Sequence, residues 1–389
     1  MTIKFKVRQV IKMAAQNLLL PAWYGLFRFR PVNRKRVIFA DAHHTEVPES
    51  MELLRDAVRE TGDFEVTEMY MDVQAASPAK VFRFMLRFMR LYAGAGFVVI
   101  SDNFLPAASC RKRRETCVIQ LWHACGAYKK FGYDAADDIP AGYRGHVYRN
   151  TSLVTVSSKA CAEPFASAMK LPAKRMLPAG VSRTDRYFNY EWTEACREEF
   201  YREYPGAVRK KIVLWAPTFR GNAAEPRIPE FDAAALQEEL GDEWLVLVRV
   251  HPHMAEAFGD RSCPIPTDRL FPVTDVLVAD YSSLIFEYLL FDRPLVLYVP
   301  DLDEYRAQRG FYLDFDTIPA PKIRAESALA DAIRKEYLAT AQDKKYNREM
   351  PDAFTDYWMH ACDGHVTERI VRYMQKNAAA DGRSGKQIQ

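Results

Sequence analysis

The sequence predicts an α/β protein of two doubly wound, Rossmann-like domains facing a cleft, and three observations carry that expectation. A chain of 389 residues, at roughly 150 residues per domain, makes two cores rather than one. Eight short runs rich in Val, Ile and Leu recur between helical patterns. They are continuous rather than alternating, as in strands buried on both faces of a parallel sheet. Finally, the runs form two groups of four, separated by the charged and aromatic stretch 187–210, which carries Pro205-Gly206 and no strand pattern.

In chain order the predicted strands are 36–40, 97–100, 117–121 and 153–156, then 212–215, 244–248, 276–278 and 295–298. The expected domains are therefore 1–190 and 191–375, the second closing in helices, with 376–389 a polar tail. Ordinary contents of 49% hydrophobic and 27% charged residues exclude disordered, collagen-like and coiled-coil classes. Seven cysteines without any C-x-x-C pair argue against a disulfide scaffold or structural zinc and fit a reducing, cytoplasmic compartment.

The net charge of +3 hides an asymmetry: residues 1–36 hold nine Lys or Arg and no Asp or Glu. Charge interrupts their apolar residues too often to span a bilayer, and the run 13–20 is too short for an exported leader. Such a segment suits a peripheral position on an anionic membrane surface, with Trp23, Tyr24 and Phe27 at headgroup depth; a helix packed on the first domain is the alternative. Arg83, Arg87 and Arg90 repeat the theme at helical spacing in 80–90.

Four polar clusters each follow a predicted strand, the position at which doubly wound sheets bind ligands. The first, Gln120-Leu-Trp-His123, is followed by Gly126, Lys129 and Lys130, read as a turn into a helix. An imidazole, with an unperturbed pKa of roughly 6.5, suits removal of a proton from a hydroxyl. The second, Trp215-Ala-Pro-Thr-Phe-Arg-Gly221, offers the Thr218 hydroxyl and the Arg220 guanidinium. The third, Arg249-Val-His-Pro-His253, places His251 beside Pro252, which ends ladder pairing; no third Cys or His completes a metal set with His253. The fourth, Asp280-Tyr-Ser-Ser283, opens a helix whose N-terminal N–H groups, with the Ser282 and Ser283 hydroxyls, suit a phosphate. Beyond it Arg309 stands on a turn marked by Gly310. Dinucleotide, Walker, G-x-S-x-G and H-E-x-x-H sequences are absent, and nothing points to nucleic acid.

Taken in order, Gln-Leu-Trp-His123, Ala-Pro-Thr-Phe-Arg220, Arg249-x-His-Pro, Asp280-Tyr-Ser-Ser, Arg293-Pro, Arg309-Gly-Phe-Tyr and Asp363-Gly-His-Val-Thr-Glu-Arg-Ile370 resemble the CDP-glycerol glycerophosphotransferases of wall teichoic acid synthesis. The resemblance spans residues 115–372. It implies a glycosyltransferase-B fold at the cytoplasmic membrane face, and transfer of glycerol phosphate from CDP-glycerol with release of CMP. The stretch His-Ala-Cys-Gly-Ala-Tyr-Lys-Lys-Phe-Gly132 looks more like the primases than the polymerases, and the length is that of one catalytic module. That implies an undecaprenyl-diphosphate-linked disaccharide as acceptor. His123 is then expected as general base and His251 as a second catalytic histidine, on the diphosphate with Ser282, Ser283 and Arg309. Thr218, Arg220, Arg249 and Asp280 complete the expected substrate site, orientation of a histidine being the other role open to Asp280. No metal or other cofactor is expected. The alternatives are a polymerising relative, a nucleotide-sugar glycosyltransferase, a metal-dependent hydrolase using His123, His251, His253 and Asp280, and a non-catalytic membrane protein.

Overall fold

The computed structural model describes residues 13–135, 138–139, 145–218, 220–222, 225–227, 229–250, 258–342 and 346–379. The chain divides into two compact units, the first made of Met1–His123, Gly132–Asp185 and Ala361–Gln389, the second of Ala124–Phe131 and Arg186–His360.

In unit 1 six strands form one parallel sheet: β1 (Asn33–Asp41), β2 (Glu65–Tyr70), β3 (Ala95–Ile100), β4 (Cys117–Gln120), β5 (Leu153–Thr155) and β6 (Met176–Leu177), in the order β2-β1-β3-β4-β5-β6. Val37 to Ala40 and Val98 to Val99 are fully buried because helices cover both faces. The helix Pro78–Tyr92 supplies Phe84, Phe88, Met89 and Tyr92 to that core. The final helix, Val366–Ala379, belongs here and not, as expected, to the second domain. Its apolar stripe Val366, Ile370, Val371 and Met374 enters the first core, and the Asp185 carboxylate caps it by accepting from the N–H groups of Val366 (3.0 Å) and Thr367 (2.7 Å).

Unit 2 repeats the plan with β7 (Lys211–Ala216), β10 (Trp244–Val248), β11 (Val276–Ala279), β12 (Leu295–Tyr298) and β13 (Lys322–Ile323), parallel in the order β10-β7-β11-β12-β13. Between β7 and β10 a short antiparallel hairpin, β8 (Arg220–Asn222) with β9 (Glu225–Arg227), carries Arg220. Val213, Trp215, Val276, Val278, Val296 and Ile333 make the centre of its core. The α/β class with two doubly wound parallel sheets is thus the observed architecture.

Candidate active site

In unit 1 the chain leaves β4 through Leu121 and Trp122, the latter in the left-handed region at φ 58°. A bulky residue there costs about 1–3 kcal/mol and persists only where its surroundings enforce it. Those surroundings are visible: the Trp122 N–H donates to Gln120 Oε1 (3.1 Å), and the buried Gln120 amide donates to the Asp102 carbonyl (3.1 Å). The Trp122 ring stacks on the His123 imidazole at 4.6 Å, and His123 Nδ1 lies 3.2 Å from the carbonyl oxygen of Ser101. A carbonyl only accepts, so Nδ1 is the donor of this pair, and in the matching neutral tautomer Nε2 is the accepting nitrogen.

The turn-and-helix expected after His123 is replaced by an extended strap, Ala124–Phe131, which packs within unit 2. Gly126 adopts φ 66°, and a Cβ there falls 2.4 Å from the Phe286 ring, so both conformation and space demand glycine. The Tyr128 hydroxyl donates to the Asp280 carbonyl (2.9 Å), and its ring stacks on Phe311 (5.5 Å). The Tyr128 carbonyl accepts from Tyr312 N–H (2.9 Å), and the Lys130 carbonyl accepts from Arg309 Nε (3.2 Å). Helix formation is overridden because the strap finds its hydrogen bonds on the two turns that carry Asp280 and Arg309.

The second sheet reverses strand order between β7 and β11, and Thr218 and Asp280 stand on either side of that point. Asp280 is fully buried. It accepts from Thr218 N–H (2.9 and 3.1 Å), Tyr281 N–H (2.6 Å) and Arg220 Nη1 (2.8 Å). Arg220 also donates Nε and Nη2 to Asp301 (2.5 and 3.0 Å) and Nη1 to the Thr218 carbonyl (2.6 Å), so four of its five N–H groups are engaged. Its guanidinium lies 4.7 Å from the Tyr281 ring centre, and Tyr281 stacks on Tyr305 at 3.9 Å. Burial alone raises the Asp301 carboxyl, but the hydrogen bonds and charge of Arg220, with the Tyr281 hydroxyl at 2.9 Å, hold it below the ordinary carboxylate range.

The other candidates divide. Ser282 and Ser283 precede a helix of only five residues, Leu284–Tyr288, and Ser282 Oγ accepts from Leu284 N–H (3.3 Å). The Thr218 hydroxyl is buried without a hydrogen-bond partner among the described residues. Arg249 Nη1 donates to the Cys263 carbonyl (2.6 Å), which ties that side chain to a neighbouring loop. His251 and His253 lie outside the described residues. Among the described residues no group of three or more His, Cys, Asp or Glu is placed to hold a metal ion.

The family model for CDP-glycerol:poly(glycerophosphate) glycerophosphotransferases matches residues 22–376. The chain belongs to that family. It is 31% identical over 90% of its length to a teichoic acid poly(ribitol-phosphate) polymerase of Bacillus spizizenii, of which it spans only 57%. It is 29% identical over 88% of its length to a teichoic acid ribitol-phosphate primase of the same species, covering 92% of it, and 28% identical over 72% of its length to a teichoic acid glycerol-phosphate primase of Bacillus subtilis, covering 73%. The wall teichoic acid polymerase TagF shares the fold with a TM-score of 0.73 over 97% of this chain and 98% of the TagF chain, at 21% identity.

Within this family member, sequence reasoning missed Asp301, Tyr281, Tyr305 and Tyr128. Asp301 carried a signal, since it is a polar residue just beyond β12, as Thr218 and Asp280 are beyond β7 and β11. The aromatic expectation for the basic segment needs correction. Tyr24 is only 1% exposed, packs against Tyr92 with its ring tilted by 54° and accepts from Arg113 N–H (3.2 Å); Trp23 Nε1 donates to the Leu86 carbonyl (3.0 Å) and Phe27 packs beside it. These rings complete the first core. Among the described residues of the basic segment the exposed large apolar side chains are Leu18, Leu19, Leu26 and Phe29, and Phe82 is exposed on the helix that also exposes Arg83, Arg87 and Arg90. Among the described residues no helix is long and apolar enough to cross a membrane.

Proposed function

We propose that the protein transfers glycerol phosphate from CDP-glycerol to a hydroxyl of a lipid-linked disaccharide, as a teichoic acid primase. The observation that carries this reading is the 3.2 Å approach of His123 Nδ1 to the Ser101 carbonyl: with the proton on Nδ1 donated there, Nε2 is available to take the acceptor proton. The acceptor oxygen then bonds to the glycerol-bearing phosphorus, the bond from that phosphorus to the CMP oxygen breaks, and CMP leaves with the electron pair. Charge developing on the diphosphate falls to Arg309, Ser282, Ser283, the Thr218 hydroxyl and His251. The Thr218 hydroxyl, buried and without a partner among the described residues, supports a polar ligand at that point. Arg220 and Asp280 are assigned to shaping the turns that hold these groups, because their polar atoms are engaged with each other, with Asp301 and with backbone.

The primase reading is supported by the stretch His123-Ala-Cys-Gly-Ala-Tyr-Lys-Lys-Phe-Gly132, which looks more like the primases than the polymerases. The identities of 31% and 29% to ribitol-phosphate enzymes, against 28% to a glycerol-phosphate primase, favour ribitol phosphate as a second reading of the donor. The exposed Leu18, Leu26, Phe29 and Phe82 among exposed arginines support peripheral association with an anionic membrane surface at the cytoplasmic face. Chromatographic measurement of CMP release tests the reading. Release is expected only when CDP-glycerol and acceptor are both present; release from the ribitol donor alone of the two selects the second reading, and release from neither rejects both.

A further inference from the structure

The first sheet, ordered β2-β1-β3-β4-β5-β6, reverses its connections between β1 and β3. The crevice outside the carboxyl ends of the strands at such a reversal is the ligand position of doubly wound sheets. His43, two residues beyond β1, and Asp102, two beyond β3, stand on its two sides. Their side chains are 40% and 37% exposed, with His43 Nε2 3.9 Å from Asp102 Oδ2, too far for a hydrogen bond. Both loops are held in place. Buried Asp41 accepts through Oδ1 from the N–H groups of His43 (2.7 Å) and His44 (2.8 Å), while Asp102 Oδ1 accepts from Asn103 N–H (2.5 Å). The adjoining Asn103 Oδ1 is buried without a hydrogen-bond partner among the described residues. Ser101, immediately before Asp102, is the residue that fixes His123.

The chemistry of this crevice is specific. The loops 41–46, 101–104 and 120–123 contain three carboxylates and no Lys or Arg, so they suit a neutral group with hydroxyls and disfavour a phosphate. We infer that His43 and Asp102 form the acceptor subsite and bind the neutral polyhydroxylated end of the acceptor, a sugar or polyol, beside His123. A hydroxyl donates to Asp102 Oδ2, a second meets the His43 imidazole, and the hydroxyl to be phosphorylated is thereby directed at His123. This inference rests on the transfer reaction proposed above.

The test uses the full chain with a short-chain, soluble lipid-diphosphate disaccharide analogue. Asp102→Asn keeps the oxygen that accepts from Asn103 N–H, and His43→Gln keeps polarity. Each is expected to raise the acceptor KM about tenfold or more, the loss of one hydrogen bond to a charged or strongly polar group, with donor KM and melting temperature unchanged. An unchanged acceptor KM in both variants overturns the inference while leaving the transfer reaction intact. If the wild type does not transfer at all, the reaction reading fails, and saturation-transfer NMR with the analogue alone decides the subsite. A signal present in the wild type and lost in Asp102→Asn supports it; equal signals, or none in the wild type, overturn it.

Discussion

Replacing Arg220 with Met removes the guanidinium that joins Asp280 to Asp301 and lies over the Tyr281 ring, while keeping an unbranched apolar stem. The Arg220 side chain is 13% exposed, Asp280 fully buried and Asp301 28% exposed. Removing one partner of a buried ion pair costs about 3–5 kcal/mol, because the other charge is stranded. Asp280 keeps the N–H groups of Thr218 and Tyr281, and Asp301 regains water, so the lower end, about 3 kcal/mol, applies. For a domain of this size each kcal/mol lowers Tm by about 2–4 °C, giving a fall of about 6–12 °C in scanning calorimetry. Arg220→Lys, which keeps charge but not the fork to Asp301, falls in between. A pH series sharpens the test. The Asp301 carboxyl is depressed in the folded state, so its contribution is complete above the unfolded carboxylate pKa of about 3.9 and is lost as pH falls through the lower folded value. The stability gap between wild type and Asp301→Asn is therefore level from about pH 8 to 5 and narrows below about pH 4. A Tm within about 2 °C of wild type for Arg220→Met refutes the positioning role, and donor affinity lost at unchanged Tm assigns Arg220 to the donor itself.

His123→Ala is expected to lower kcat by about 10²–10⁴-fold with CDP-glycerol affinity retained, read by CMP release and by titration calorimetry; near wild-type turnover moves the base elsewhere. Ser282→Ala and Arg309→Ala are expected to weaken CDP-glycerol binding in the same calorimeter, and unchanged affinity for both removes the donor from the Asp280-Tyr-Ser-Ser turn. Leu18→Ser with Phe29→Ser, both exposed, leaves melting unchanged and reduces sedimentation with anionic vesicles, whereas undiminished binding transfers that role to the Phe82 helix. Excess EDTA is expected to leave turnover unchanged, and loss of activity restored by a divalent cation contradicts the assignment of diphosphate charge to protein groups.

The central strands were legible because each is apolar on both faces, and all eight expected runs lie in the two sheets. Of the four edge strands only β10 was. In β2, Glu65-Val-Thr-Glu-Met-Tyr70, only Met69 is buried, and β6 and β13 have two residues each, too few to show a pattern. The stripe Val366, Ile370, Val371 and Met374 announces a buried helix but carries no information on which sheet receives it. The engaged partners of the candidate site were hidden for a similar reason: Asp301 lies 81 residues from Arg220 and Tyr128 lies 152 from Asp280, so only the folded backbone brings them together. Motif residues also proved to be of two kinds. Arg293 donates to the carbonyls of Phe271 and Pro272, and Arg369 to that of Ala179, which are structural tasks in a motif that a sequence reading treats as uniform.

Intact mass spectrometry of the lipid-diphosphate disaccharide analogue after incubation with the full chain and CDP-glycerol tests the central claim most directly. The expected product is the analogue heavier by one glycerol phosphate, formed with an equivalent of CMP and absent with His123→Ala. A ladder of many glycerol phosphate additions contradicts the primase assignment, and an analogue of unchanged mass contradicts glycerol phosphate transfer itself.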